Sequence, residues 1–133
     1  MPDEIEQKKF KIILAEDDKF ISRAYKDGLE RAGFTVIPVV DGVMALEKIK
    51  QEKPDMVLLD LIMPVKNGFE VLKDIKADDA IKNIPIIILS NLGQDSDIEK
   101  GRELGAADYL IKSNFSMNEV IEKIKTYLKK YAQ

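Results

Sequence analysis

The sequence predicts an α/β fold: a five-stranded parallel sheet, doubly wound in the strand order 2-1-3-4-5, with helices on both faces. Three observations predict it. Five short apolar runs recur along 133 residues, close to continuously apolar rather than alternating, as strands covered on both faces are. Segments with helical spacing separate them, and strict βα alternation means a parallel sheet between two helix layers. Right-handed crossovers then leave few ways to order the strands. The length suits one domain and leaves little room for a second.

The strand candidates are FKIILA (10–15), TVIPVV (35–40), DMVLLD (55–60), IPIIILS (84–90) and DYLIK (108–112). In the first helical segment Ile21, Ala24, Gly28 and Ala32 share a face, and Gly33 stops it. In the second, Leu46 and Ile49 face inward, with Pro54 as the stop. Phe69, Leu72 and Ile75 mark the third. Ile98, Gly101 and Leu104, followed by Gly105, mark the fourth. The fifth has the clearest stripe, Val120, Ile124, Leu128 and Tyr131, and Ser116 with Glu119 forms a capping box at its start. Residues 1–9 read as a charged tail ahead of a domain over 10–131. No repeat, linker or low-complexity tract interrupts the pattern.

Composition narrows the chemistry. Twenty-one basic residues against 24 acidic give a net charge of −3, which argues against direct nucleic-acid binding and against an anionic membrane surface. With no cysteine there is no disulfide and no thiolate metal site. With no histidine the commonest general base and zinc ligand are gone. No window is apolar for the length of a membrane span, and the N-terminus lacks a signal-peptide core, so the expected location is the cytoplasm. Chemistry is left to carboxylates, lysines, hydroxyls and a borrowed metal.

In an open α/β sheet, ligands bind beyond the carboxyl ends of the strands, where the strand order reverses. Strand 1 ends in Glu16-Asp17-Asp18 and strand 3 in Asp60. These strands are neighbours in the order 2-1-3, about 5 Å apart, so the carboxylates share a small volume. Each acid alone is as well explained by capping or solvation, and Asp18 is placed to cap the helix opening at Lys19. Acids at two adjacent strand ends point to a bound cation. Oxygen ligands without nitrogen or sulfur favour Mg2+. Strands 4 and 5 end at the same edge in Ser90 and Lys112, and a hydroxyl with an ammonium there suits a phosphoryl ligand.

With these residues in place, the sequence resembles the receiver domain of two-component response regulators, stand-alone and CheY-like, over about Lys11 to Lys130. The resemblance lies in KIILAEDD, in VLLDLIMPVKNGFEVL with Pro64 and Gly68 at the expected offsets after Asp60, in IIILSNLG, and in GRELGAADYLIK. It implies a flavodoxin-like fold and a phosphorylation-dependent signalling switch. Asp60 takes the phosphoacceptor position. Glu16, Asp17, Asp60 and the backbone carbonyl of Ile62 hold Mg2+, with Mn2+ able to replace it. Lys112 and Ser90 hold phosphoryl oxygens, and Ser90 with Tyr109 forms the switch. The implied partners are a histidine kinase or phosphotransfer protein and a downstream protein target. The implied state is a monomer or a weak homodimer through helix 4, strand 5 and helix 5. The implied chemistry is limited to the chain's own phosphorylation and dephosphorylation.

The sequence departs from that family at three places. Ser113 follows Lys112 where a cis-proline is usual, and Phe115 comes one residue late. Asn91 follows Ser90 where a small residue is usual. Ile62 and Leu92 are apolar where many relatives are polar, which should shield an acyl phosphate from water. Three rival readings stand beside this one. A dehalogenase-like phosphatase needs a second acid where Ile62 stands. A flavin binder needs a Ser/Thr/Gly-rich first loop where this one is acidic. An interaction module free of phosphorylation control is the third.

Overall fold

The computed structural model describes residues 9–131. Five strands form one parallel sheet in the order β2-β1-β3-β4-β5, as the alternation predicts. They are β1 (Lys11–Ala15), β2 (Thr35–Val39), β3 (Met56–Leu59), β4 (Ile86–Ser90) and β5 (Asp108–Ile111). The helices among the described residues are α1 (Lys19–Arg31), α2 (Gly42–Glu52), α3 (Gly68–Lys76), α4 (Asp95–Glu103) and α5 (Met117–Tyr131), with a short 3-10 turn at Lys112–Asn114. Of the charged tail expected over 1–9, residues 1–8 lie outside the described residues, as does the side chain of Tyr131 on the α5 stripe.

The sheet's two faces follow from the two-residue period of a strand. Ile13, Ala15, Val57, Leu59, Ile86, Ile88 and Tyr109 point to one side and pack with Ala45, Ile49, Val71, Leu72 and Ile75 of α2 and α3. Their neighbours Ile12, Leu14, Met56, Leu58, Ile87, Leu89 and Leu110 point to the other and pack with Leu29 of α1 and Val120, Ile124 and Leu128 of α5. Strand β3 is buried at every residue, which is why its sequence shows no alternation. The register sets Ala15 beside Leu59, Leu59 beside Ile88 and Ser90 beside Ile111. Four strand ends therefore finish at one edge.

Edge strand β2 carries Pro38. Thr35 N–H donates to the C=O of Phe10 and Val39 C=O accepts from Glu16 N–H, the residues flanking β1. Residues 35, 37 and 39 therefore turn their polar groups inward, and Val36 and Pro38 turn theirs outward. A proline fits here because its missing N–H faces away from the sheet.

Local signals place the helix ends. Asp18 caps α1 by accepting from Phe20 and Ile21 N–H, so the capping assignment for that acid holds. Ser116 and Glu119 close the expected box at α5. A second box, Asn67 with Glu70, opens α3 and was readable as Asn-x-x-Glu. Gly33 and Gly105 lie at φ +102 and +99, where glycine has no Cβ to clash. One expectation is corrected. Ala24 is exposed, and Ser22, Tyr25 and Leu29 carry the inward face of α1, because the true stripe lies one position over. Pro54 follows the second helix as expected: α2 runs to Glu52, and its cap Lys53 is left-handed at φ 44.

Candidate phosphoacceptor site

Strand parity decides which side chains meet. Glu16 continues the Ile12 and Leu14 face, Asp60 the Met56 and Leu58 face, and Lys112 the Leu110 face, all on the α1/α5 side. Lys112 Nζ hydrogen-bonds to Asp60 Oδ2 at 3.0 Å and to Glu16 Oε1. Glu16 is 3% exposed and Asp60 7% exposed, so this ammonium sits between two buried carboxylates. Asp17 is exposed beside them. One oxygen each from Glu16, Asp17 and Asp60 lie within 4.8 Å of one another. This all-oxygen donor set fits a hard divalent cation.

Backbone bonds hold the acids in place. Asp60 N–H donates to Ala15 C=O at 3.0 Å, and Glu16 N–H to Val39 C=O at 3.0 Å. The second Glu16 oxygen accepts Asp18 N–H at 3.0 Å. Asp60 Oδ1 receives Ile62 N–H at 3.4 Å, a long contact. Gly68 N–H donates to Leu61 C=O at 2.9 Å, and a Cβ at Gly68 would strike the Asp60 carbonyl. The loop between β3 and α3 turns at Val65. Its φ of 71, with Lys66 N–H donating to Pro64 C=O at 2.8 Å, makes a strained γ-turn.

Electrostatics match this packing. Burial lowers the pKa of Lys112, but its hydrogen bonds and charge contacts with Glu16 and Asp60 outweigh burial and hold it above the ordinary lysine value. Burial raises the Glu16 carboxyl against the opposing pull of Lys112 and the Asp18 amide, and the Asp60 charge adds to the rise. Tyr25 on α1 also feels Lys112 and Glu16, although burial is the main cause of its raised pKa. No sequence signal marks that tyrosine beyond its place on the inward face.

Ser90 and Tyr109 lie on the opposite face, with Ile86 and Ile88. Ser90 is buried, and its Oγ accepts Leu92 N–H at 3.3 Å. The Tyr109 hydroxyl donates to Leu92 C=O, so the ring is turned inward, 8% exposed. Gly101 lets α4 approach, since a Cβ there would meet Ile88 at 2.7 Å and Tyr109 at 3.1 Å. Burial first, then the charges of Asp97 and Asp60, push the Tyr109 phenol up to about 12. Asn91 is exposed, Leu92 half-buried and Ile62 60% exposed at the mouth. No described peptide bond is cis, so the link from Lys112 to Ser113 is trans and the 3-10 turn rebuilds the loop.

A parallel 2-1-3-4-5 sheet with acids at the β1 and β3 ends and a lysine at the β5 end defines a receiver. The chain belongs to the response regulator receiver domain family, whose model matches residues 12–125. It is 37% identical over 120 residues to the alkaline phosphatase synthesis transcriptional regulatory protein PhoP of Bacillus subtilis, covering 90% of this chain and 49% of that protein. It is 32% identical over 117 residues to the polar-differentiation response regulator DivK of Brucella anthropi, covering 88% and 94%. The receiver domain of Francisella response regulator 1452 superposes with a TM-score of 0.85 at 32% identity, covering 92% and 98%. The chain spans about half the length of the transcriptional regulators it matches. Phosphorylation-dependent switching in two-component signalling is general to the family, whose members bind Mg2+ and work with histidine kinases and downstream effectors.

Two tests follow from the geometry. Removing one partner of a buried ion pair leaves an uncompensated charge. Lys112→Met should lose about 3 kcal/mol of stability without metal, and Mg2+ should restore more stability to it than to the wild type; urea unfolding with and without Mg2+ checks both. The second concerns alkaline pH. Between pH 10, where an exposed phenol ionises, and about 12, the unfolded chain binds fewer protons than the folded one. Tyr109 therefore lends stability below pH 10 that is lost as pH rises toward about 12. The difference between wild type and Tyr109→Phe should shrink from about pH 9 to about pH 11; a constant difference would contradict the assignment.

Proposed function

We propose that this chain is a signalling switch in which Asp60 accepts a phosphoryl group from the phosphohistidine of a histidine kinase or phosphotransfer protein. The observation that carries this reading is the convergence of Glu16, Asp17, Asp60 and Lys112 at one sheet edge. An Asp60 carboxylate oxygen attacks phosphorus, the bond from phosphorus to the imidazole nitrogen breaks, and an acyl phosphate forms. Glu16, Asp17, Asp60 and the Ile62 carbonyl would hold Mg2+, which would supply positive charge to offset that of the transferring group. Lys112 is already hydrogen-bonded to the acceptor and turns its ammonium to a phosphoryl oxygen.

Ser90 gives up its bond from the Leu92 amide and donates its hydroxyl to the phosphoryl group. Since Leu92 C=O holds the Tyr109 hydroxyl, moving that loop changes the surface of α4, β5 and α5, a local charge event biasing a two-state element. A downstream protein reads that surface. Apart from its own phosphorylation and dephosphorylation the chain catalyses nothing, and it works in the cytoplasm. Among the described residues no helix is long and apolar enough to cross a membrane.

With Mg2+ and a small phosphodonor, mass spectrometry should find one added phosphoryl group on the wild type and none on Asp60→Asn. No gain under any condition would favour an interaction module outside phosphorylation control. Ile62 stands at the acceptor's mouth and limits the approach of water, so Ile62→Asn should lose its phosphoryl group faster. Equal decay rates would remove that role.

A further inference from the structure

Helix α1 sets Lys19, Ser22, Arg23, Lys26 and Asp27 on one face, since residues three, four and seven apart lie one above the other on a helix. That face borders edge strand β2. Along β2, Val36, Pro38 and the following Val40 share the pleat side that α1 covers. Val36 is 6% exposed, but Pro38 is exposed and Val40 is 42% exposed. The helix therefore covers the start of the strand and stands away from its end. The gap is a groove of about 380 Å3, bordered by the helix face on one side and by Pro38 and Val40 on the other. That volume falls within the range of small-molecule sites, about 300–1,000 Å3. None of Glu16, Asp17, Asp60 or Lys112 lines it.

One hydroxyl in this groove has no partner. Ser22 is 8% exposed, and its Oγ makes no hydrogen bond among the described residues. Thr126 on α5 shows the usual solution for a helical hydroxyl, donating to Glu122 C=O at 2.9 Å. Ser22 makes no such bond to Asp18 C=O, and its hydroxyl opens on the groove instead. A buried hydroxyl left in this way costs free energy until something bonds it. Lys19 and Arg23 flank it, both exposed and neither in an ion pair among the described residues. Lys26 is engaged by Glu30 at 3.1 Å.

We infer that this groove binds a nucleoside monophosphate. A phosphate monoester carries about one and a half to two negative charges at neutral pH, which two uncommitted cations balance. Ser22 donates its hydroxyl to one phosphoryl oxygen, and Arg23 offers a planar fork of donors to two. The rest of the groove calls for an organic body. Pro38 and Val40 form an apolar wall that the flat face of a base covers, removing hydrocarbon from water. Asp27, one turn beyond Arg23, accepts from sugar hydroxyls. A bare phosphate ion would satisfy the cations and leave the apolar wall wet. The site is independent of the acidic cluster and would give the chain a small-molecule input separate from Asp60.

Isothermal titration of the whole chain with AMP, adenosine and inorganic phosphate, at one fixed salt concentration, tests the site. AMP should bind more tightly than either adenosine or phosphate. Ser22→Ala and Arg23→Gln should each weaken AMP binding about tenfold. Arg23 is exposed, so its replacement leaves the fold intact and keeps the test valid if Ser22→Ala perturbs α1. Arg31→Gln removes a cation from the same helix outside the groove and should bind AMP as the wild type does. Absence of binding by AMP, or AMP binding no tighter than inorganic phosphate, would overturn the inference. So would an equal loss in Arg31→Gln, which would reduce the effect to the general charge of the helix.

Discussion

The edge of this sheet depends on the ammonium of Lys112 held between Glu16 and Asp60. Three acids within 4.8 Å repel one another, and two of them are buried, so the arrangement is tenable only beside a cation. Lys112 supplies it from the end of β5, two strands away from β3 and three from β1. Each group reaches the others only because β1, β3 and β5 present the same pleat face at their ends. A one-residue slip in any of the three would turn its functional side chain to the opposite face.

The same parity separates the site into two parts of different chemistry. The charged part lies toward α1 and α5. Ser90 and Tyr109 lie toward α4, linked through the amide and the carbonyl of Leu92. One residue of backbone thus ties the acceptor side to the helix layer that would report on it. Gly101 adds to this, since any larger residue would push α4 off Ile88 and Tyr109. The charged groups lie on one face of the sheet and the Ser90–Leu92–Tyr109 link lies on the other.

Much of this was legible in the sequence. Continuous apolar runs such as MVLL and IIILS announce strands with two buried faces, and their order along the chain yields the sheet. Acids and a lysine closing those runs locate the site, because a strand end is a fixed point in space. What was not legible depends on contacts between distant segments. The seating of Gly42 on Lys66 leaves only an Asp-Gly pair that reads as an ordinary helix start. The face of α1 is hidden in the sequence because small residues at Ala24 and Gly28 imitate an apolar stripe, while Tyr25 and Leu29 do the packing. The loop after Lys112, with Ser113 in place of proline, admits two peptide geometries in the sequence; in the structure the bond is trans and lies in the 3-10 turn.

Pro38 sets a condition on how this molecule associates with others. On the outer side of β2 it leaves Val36 as the N–H donor, too little to template an added strand. Main-chain pairing is promiscuous, since every backbone carries the same groups. With that route blocked at β2, association there is left to side chains, which differ from one chain to the next. Selectivity at the β2 edge is thereby left to side-chain chemistry, set by a residue far from the acidic cluster.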